Sequence, residues 1–250
     1  MNTNSNVYTI IYTTLVCVLV AAILAFASGK LAPKQQENEK AENISQILTA
    51  AQFGTKAEWQ AAGNSAIVKF YKENASCAFT INEQGEKVRD LNISEAEVYG
   101  VSDLKAQNYN IKGAKSYEIP VYQFKSGVTV VAIYGAGLWG PVWGYFALGE
   151  DLQRIAGVYF DHESETPGLG GKIKDDPSFR AEFEGEKISL GANPFDIVKG
   201  GAPAGDLEDS KVDAISGATM TSKGVDAAID VWISAYVPFI KAALCCAEEE

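Results

Sequence analysis

The sequence predicts an α+β protein: an N-terminal transmembrane helix, then one soluble domain with a largely antiparallel sheet and peripheral helices. Three observations lead there. Residues 7–27 carry no charged side chain, and about 20 apolar residues suffice to cross a bilayer. Six segments rich in β-branched and aromatic residues crowd the middle of the chain, bounded by glycine and polar turns. Apart from the anchor and its tether, the helical patterns come mostly after them, the order expected of an α+β domain.

Taken in order, residues 1–28 form the anchor. Ala25-Phe26-Ala27 also resembles a signal-cleavage site, yet residues 1–6 contain no Lys or Arg. The residues before Cys17 (Thr14-Leu15-Val16) fit a lipoprotein site poorly, so the reading is a retained anchor in membrane lipid through residues 7–27. Residues 29–54 are polar, with Ile44, Ile47 and Leu48 spaced as one helical stripe, and read as a helical tether that ends in a short linker at residues 52–54. The soluble domain occupies residues 55–250. Strands are expected at residues 65–71, 75–81, 117–124, 128–134, 145–148 and 155–160, with a turn at Asn82-Glu83-Gln84-Gly85. A short helix is expected at residues 177–183 and a longer one at 224–243. The longer helix carries Val225, Ala228, Trp232, Ala235 and Phe239 on one side, and Pro238 should end or kink it.

With 250 residues and 47% hydrophobic content, the chain can bury a real core beyond its anchor. A net charge of −11 argues against nucleic acid as a partner. No GxGxxG follows a strand, so a Rossmann nucleotide site has no support. One histidine, His162, and four cysteines with no CxxC pair make a zinc site unsupported, and no metal site is expected. Cys245 and Cys246 are adjacent and would bridge each other poorly. A bridge from Cys77 to the tail stays open outside the cytoplasm.

The most informative stretch is Asp213-Ala214-Ile215-Ser216-Gly217-Ala218-Thr219-Met220-Thr221-Ser222, small and hydroxyl residues running into a helical pattern. A loop at a helix start offers free N–H groups and the positive end of the helix dipole, a seat for a phosphate. The plainer reading is a cap, with Thr221 or Ser222 accepting the first helical N–H groups. Two further segments combine glycine with proline or tryptophan, a pattern with two readings: close backbone approach to a planar ligand, or a conformationally demanding loop with no ligand. One is Glu165-Thr166-Pro167-Gly168-Leu169-Gly170-Gly171, where proline and glycine shape the backbone; the other is Gly135-Ala136-Gly137-Leu138-Trp139-Gly140-Pro141-Val142-Trp143-Gly144. A tryptophan in such a turn either stacks on a ligand or plugs the core beneath it.

The anchor, the Glu165-Thr166-Pro167-Gly168-Leu169-Gly170-Gly171 loop and Ser216-Gly217-Ala218-Thr219, in this order, resemble the NqrC family of covalent-FMN-binding proteins, components of Na+-translocating NADH:quinone oxidoreductases. The resemblance covers nearly the whole chain. It implies FMN held covalently by a phosphoester to the hydroxyl of Thr219, placed there by a separate Mg-dependent flavin transferase. Ser216, Gly217, Ala218, Thr221, Trp139, Glu165, Thr166, Leu169 and Gly170 are then candidate flavin contacts. Lys172 is a further one, whose charge would stabilise reduced flavin. Trp143 is expected in the core, Asp213 as a loop-orienting side chain, and His162 at the surface or behind the contacts. No residue reads as catalytic.

What the resemblance implies is an electron-transferring flavoprotein, an oxidoreductase component not catalytic alone, in a bacterial inner-membrane complex that oxidises NADH, reduces quinone and exports Na+. Its partners would be the other subunits. The homologous flavin-carrying component of the Rnf ferredoxin:NAD oxidoreductase shares the anchor and the modified threonine. A scaffold or binding protein with an unmodified cap is the alternative from another class. Lys30, Lys34 and Lys40 follow the span, which by the positive-inside rule draws the domain inward. The family resemblance instead places it on the periplasmic side, and that is the expectation adopted.

Overall fold

The computed structural model describes residues 6–200 and 210–247. Met1 to Ser5, the side chain of Cys246 and the acidic end of the chain fall outside the described residues, and with them the expected vicinal cysteine pair. The chain divides into two compact units, Met1–Lys40 and Ala41–Glu250. The first consists of the early turns of helix α1 (Asn6–Ala50), long and apolar enough to cross a membrane.

The second unit takes in the last turns of the segment read as a tether. Ile44, Ile47 and Leu48 are fully buried there, so the stripe seen in the sequence faces the domain's own core. Helix α2 (Lys56–Ala62) follows, started by Thr55 and Glu58, each side chain bonding the other's backbone N–H. Helix α3 (Asn64–Asn74) replaces the strand expected at residues 65–71. Ile67 and Tyr71, four residues apart, are its buried positions, and a short β-branched and aromatic run does not by itself separate helix from strand.

Strands β1 (Ala75–Ile81) and β2 (Lys87–Asp90) form a hairpin, and helix α4 (Val101–Lys112) carries the chain to the other side of β1. Then come β3 (Ile119–Phe124), β4 (Thr129–Ala136), β5 (Pro141–Leu148) and β6 (Ile155–His162). Together they make a six-stranded sheet in the order β2-β1-β3-β4-β5-β6, antiparallel throughout. Short helices α5 (Lys172–Asp175) and α6 (Pro177–Ala181) precede a small parallel pair, β7 (Asp196–Val198) and β8 (Lys211–Asp213). The last element, helix α7 (Thr219–Ala247), begins five residues before its expected start and continues through Pro238.

Helix α7 meets the length and composition test for a membrane span, but Val225, Ala228, Ile229, Trp232, Ile233 and Tyr236 are buried in the domain core. That spacing is one helical face, and it packs on β4. Two polar contacts set its position. Trp232 Nε1 donates to Asn108 Oδ1 at 3.1 Å, fastening α7 to α4. Tyr236 Oη accepts the Ala132 N–H at 3.3 Å and donates to the Pro120 carbonyl at 2.8 Å. These two backbone groups lie just beyond the last paired residues, Val121 and Val131, of the β3–β4 ladder. The tyrosine thus supplies the partners that the ladder no longer provides.

Gly224, read from sequence as the helix start, is a packing residue inside it. A Cβ there would run into the Ala136 carbonyl, so the glycine lets α7 lie directly on the end of β4. Gly135 does the same one strand position earlier, where a Cβ would come within 2.6 Å of Ala228 Cβ. Beneath the sheet's far end, Phe146, Phe160, Phe179, Phe183 and Phe195 form a chain of ring contacts, centroids 5.3–5.9 Å apart, that holds α6 and the approach to β7 in place.

Candidate functional site

Three chain reversals meet at the start of α7. The first is the turn between β4 and β5, closed by Gly137 N–H donating to the Gly140 carbonyl at 2.8 Å. It lifts Leu138 and Trp139 into solvent, Trp139 with 66% of its surface exposed. The second is the loop after β6, where Gly168 takes a positive φ of 75° and the Leu169 and Gly171 N–H groups both donate to the Thr166 carbonyl. The third is the turn at residues 215–218, where Gly217 takes a φ of 83° that strains any other residue. A Cβ at Gly217 would lie 3.3 Å from Leu169 Cδ2, so the second and third reversals touch. Between them lies a cavity of about 230 Å³ lined by Leu138, Trp139, Glu165, Thr166, Leu169, Gly170, Gly217, Ala218, Thr219, Met220 and Thr221.

The floor of this cavity is a helix N-terminus without a side-chain cap. The Ala218 carbonyl accepts the Ser222 N–H at 2.9 Å, which makes Ala218, a residue with no side-chain acceptor, the capping position. The plainer reading, a cap supplied by Thr221 or Ser222, is therefore not what forms. Ser222 Oγ accepts the Ile215 N–H at 3.2 Å, outside the helix, and the Thr221 hydroxyl donates to Glu165 Oε2 at 2.6 Å. The N–H groups of Thr219, Met220 and Thr221 have no acceptor among the described residues. An anion is the natural partner for such a triplet, which also carries the positive end of the helix dipole.

The two threonines stand in opposite situations. Thr219 is exposed and lines the cavity. Thr221 is 2% exposed and its proton is spent on Glu165. Glu165 is itself buried at 4% exposure, and its other oxygen accepts the Trp139 N–H at 2.8 Å.

Of the residues singled out in sequence, the fold brings Thr219, Gly217, Ala218, Thr221, Trp139, Glu165, Thr166, Leu169 and Gly170 to this one cavity. Ser216 sits exposed at the tip of the 215–218 turn and does not line it. Lys172 also falls outside the lining. It opens α5, its N–H donating to the Leu169 carbonyl at 3.1 Å. Leu138 and Met220 line the cavity and were not foreseen. Each is adjacent to a singled-out residue and exposed despite being apolar, a property that only the folded chain reveals.

The remaining candidates do not line the cavity. Trp143 packs half-buried against the core and its Nε1 donates to Gln46 Oε1 at 3.1 Å. Gln46 in turn donates to Asp161 Oδ2 at 2.9 Å, and Lys174 pairs with Asp161 Oδ1 at 2.7 Å. His162 accepts the Glu165 N–H on Nδ1 at 3.1 Å, a structural bond that shapes the loop. Asp213 ends β8 and donates its N–H to Glu182 at 3.1 Å. Cys77 is a free thiol hydrogen-bonded to Gln123 Oε1 at 2.9 Å, and Cys245 is also free, so no bridge joins Cys77 to it.

A family model described as FMN-binding domain matches residues 137–234. The match runs from the tip of the β4–β5 turn into α7 and so includes all three walls of the cavity. The chain is 38% identical to the NqrC protein of the Na(+)-translocating NADH-quinone reductase of Vibrio anguillarum over 128 residues, 48% of this chain and 49% of that protein. There the chain spans about half the length of its relative. With the corresponding Pseudomonas aeruginosa protein it is 28% identical over 248 residues, 93% of each. The crystal structure of the NqrC protein from Parabacteroides distasonis is similar with a TM-score of 0.68 and 33% identity, covering 84% of this chain and 96% of that one.

Proposed function

Because this chain belongs to the NqrC family of Na+-translocating NADH-quinone reductases, we propose that it carries FMN as a phosphoester on Thr219 and passes electrons within such a membrane complex. The observation that carries this reading is the contrast between two threonines two residues apart, one exposed in a first helical turn whose three N–H groups have no acceptor among the described residues, the other buried with its hydroxyl on a carboxylate. Thr219 alone of the pair offers its oxygen to a flavin phosphate.

The residues present fit the group. The N–H groups of Thr219, Met220 and Thr221 would hold the phosphate, and the exposed apolar surfaces of Leu138, Trp139, Leu169 and Met220 would cover an aromatic ring. Gly170 leaves room where a Cβ would strike Glu165 and Thr221. When bound, FMN supplies the electron-accepting and electron-donating chemistry, and the protein supplies position, shielding and electrostatics.

No titratable partner lies within hydrogen-bond reach of the Thr219 hydroxyl among the described residues, so Thr219 is an acceptor and a separate flavin transferase catalyses the attachment. Transfer forms a bond from Thr219 Oγ1 to the flavin phosphorus and breaks a phosphoanhydride of the flavin dinucleotide donor. The electron pair leaves with the nucleotide phosphate, and the hydroxyl proton goes to a base on the transferase. A covalent link keeps the cofactor in place on the outer side of a bacterial inner membrane, where free FMN is scarce. Residues 7–27 anchor the chain in lipid, the other subunits are its redox partners, and Na+ export belongs to the assembled complex.

Replacing Thr219 by Ala in the full chain tests this. Viewed under ultraviolet light on a denaturing gel, the wild-type band fluoresces and the variant is dark. Its melting temperature is unchanged, because an exposed side chain of this kind contributes less than about 0.5 kcal/mol. Fluorescence that persists in Thr219→Ala, with the flavin mapped to Thr221, contradicts the assignment.

A further inference from the structure

The geometry points to Glu165 as the positioning residue of the flavin seat, a buried clasp that holds the Trp139 turn and the start of α7 together. The inference deepens the reading of Thr219 as the attachment residue and rests on it for its functional meaning.

Glu165 joins the β4–β5 turn, the first turn of α7 and the end of β6. Its Oε1 accepts the Trp139 N–H at 2.8 Å, its Oε2 accepts the Thr221 hydroxyl at 2.6 Å, and its own N–H donates to His162 Nδ1 at 3.1 Å. Two of these bonds join segments 26 and 56 residues apart in sequence. A carboxylate is an acceptor on both oxygens, and a buried one needs donors. With 4% exposure, Glu165 takes them from the protein.

The surroundings are cut to the shape of this carboxylate. A Cβ on Gly137 would lie 2.5 Å from Oε1, and one on Gly170 would collide with Oε2 and the Thr221 hydroxyl. The β4–β5 turn and Glu165's own loop thus each place a glycine where the carboxylate sits. Trp139, Glu165 and Thr221 all line the cavity, so the clasp is part of its wall. Ser164 adds a bond in the same direction, its hydroxyl donating to the Trp139 carbonyl at 2.9 Å. The turn bearing Trp139 is held on both its N–H and its carbonyl by consecutive residues of the second loop.

Trp139 is 66% exposed, yet its N–H is tied to a buried acceptor. Amide hydrogen exchange at Trp139 in the flavin-free full chain therefore reports the clasp directly. In Glu165→Ala the Trp139 amide exchanges at least about tenfold faster than in wild type. Glu165→Gln restores protection to within about threefold, because its carbonyl accepts from Trp139 while its amide donates to the Thr221 oxygen. Thr221→Val, which keeps the shape and removes the donor, moves exchange towards the Ala variant, and Thr221→Ser does not.

A second measurement uses the chain coexpressed with its flavin transferase, where the flavin on Thr219 is quantified by peptide mapping. Occupancy falls at least about fivefold in Glu165→Ala and recovers in Glu165→Gln. Exchange at Trp139 unchanged in both Glu165→Ala and Thr221→Val overturns the clasp, as does full flavin loading of Glu165→Ala. Should wild type carry its flavin elsewhere than Thr219 while the exchange pattern holds, the attachment reading fails and the clasp stands.

Discussion

An indole left 66% exposed in a glycine-bounded turn forms, with the exposed Leu138, Leu169 and Met220, an apolar collar around the cavity. Trp139 does not plug the core, so the alternative open in the sequence is closed at this residue, whereas Trp143 does pack against the core. A stacked indole quenches flavin emission. Trp139→Leu is therefore expected to brighten the bound flavin and shift its midpoint potential while leaving the fold intact, and emission and potential both equal to wild type would remove Trp139 from the ring's surroundings. The glycine, proline and hydroxyl pattern made the cavity's residue types legible. The Glu165–Thr221 bond was not, because partners 56 residues apart leave no local signal. Local signal misled at Thr221 and Ser222, which read as caps. Their hydroxyls answer to tertiary partners, and the helix begins earlier with its N–H groups open.

The strands of the sheet's centre were legible as elements because their β-branched and aromatic runs are bounded by turns. The helices α2 and α4 were not. Each presents a single buried residue, Trp59 or Leu104, too little for a periodic stripe. In α7 the glycine at 224 concealed the true start, since close packing against Ala136 looks, in sequence, like a helix boundary. The same helix carries a titration that can be tested. Burial, then the charges of Asp226 and Asp196, push the Asp230 carboxyl up to about 6 from 3.8. Its Oδ1 is buried with no hydrogen-bond partner among the described residues. The folded state thus binds this proton more tightly than the unfolded chain, so the associated stability is fully present below pH 3.8 and is lost as pH rises through about 6. Asp230→Asn should raise the melting temperature at pH 7.5. The gain is at most about 1 kcal/mol after allowance for solvent screening, or roughly 2–4 °C. At pH 4 the gain should be nearly absent. Melts of equal shift at both pH values would contradict it.

For the molecule as a whole, an α+β domain with an antiparallel sheet was foreseeable from the clustered strand patterns, and the six-stranded sheet has that form, although α2, α3 and α4 come before or between the strands rather than after them. The extension of α1 into the domain was less so. A polar, charged segment carrying the Ile44, Ile47 and Leu48 stripe reads as a tether, yet those three are fully buried in the second unit. Sidedness rests on two opposed arguments: Lys30, Lys34 and Lys40 after the span draw the domain inward, while meeting a transferase on the outer face draws it outward. A C-terminal alkaline phosphatase fusion is expected to be active and a fluorescent-protein fusion dark; the reverse pair means the charges win. The attachment of FMN to Thr219 is tested most directly by intact mass and peptide mapping of the protein taken from its native membrane. The account predicts one added FMN phosphoester per chain, carried by the peptide containing Ser216-Gly217-Ala218-Thr219 and fragmenting at Thr219. An unmodified mass, or flavin on any other residue, would contradict it.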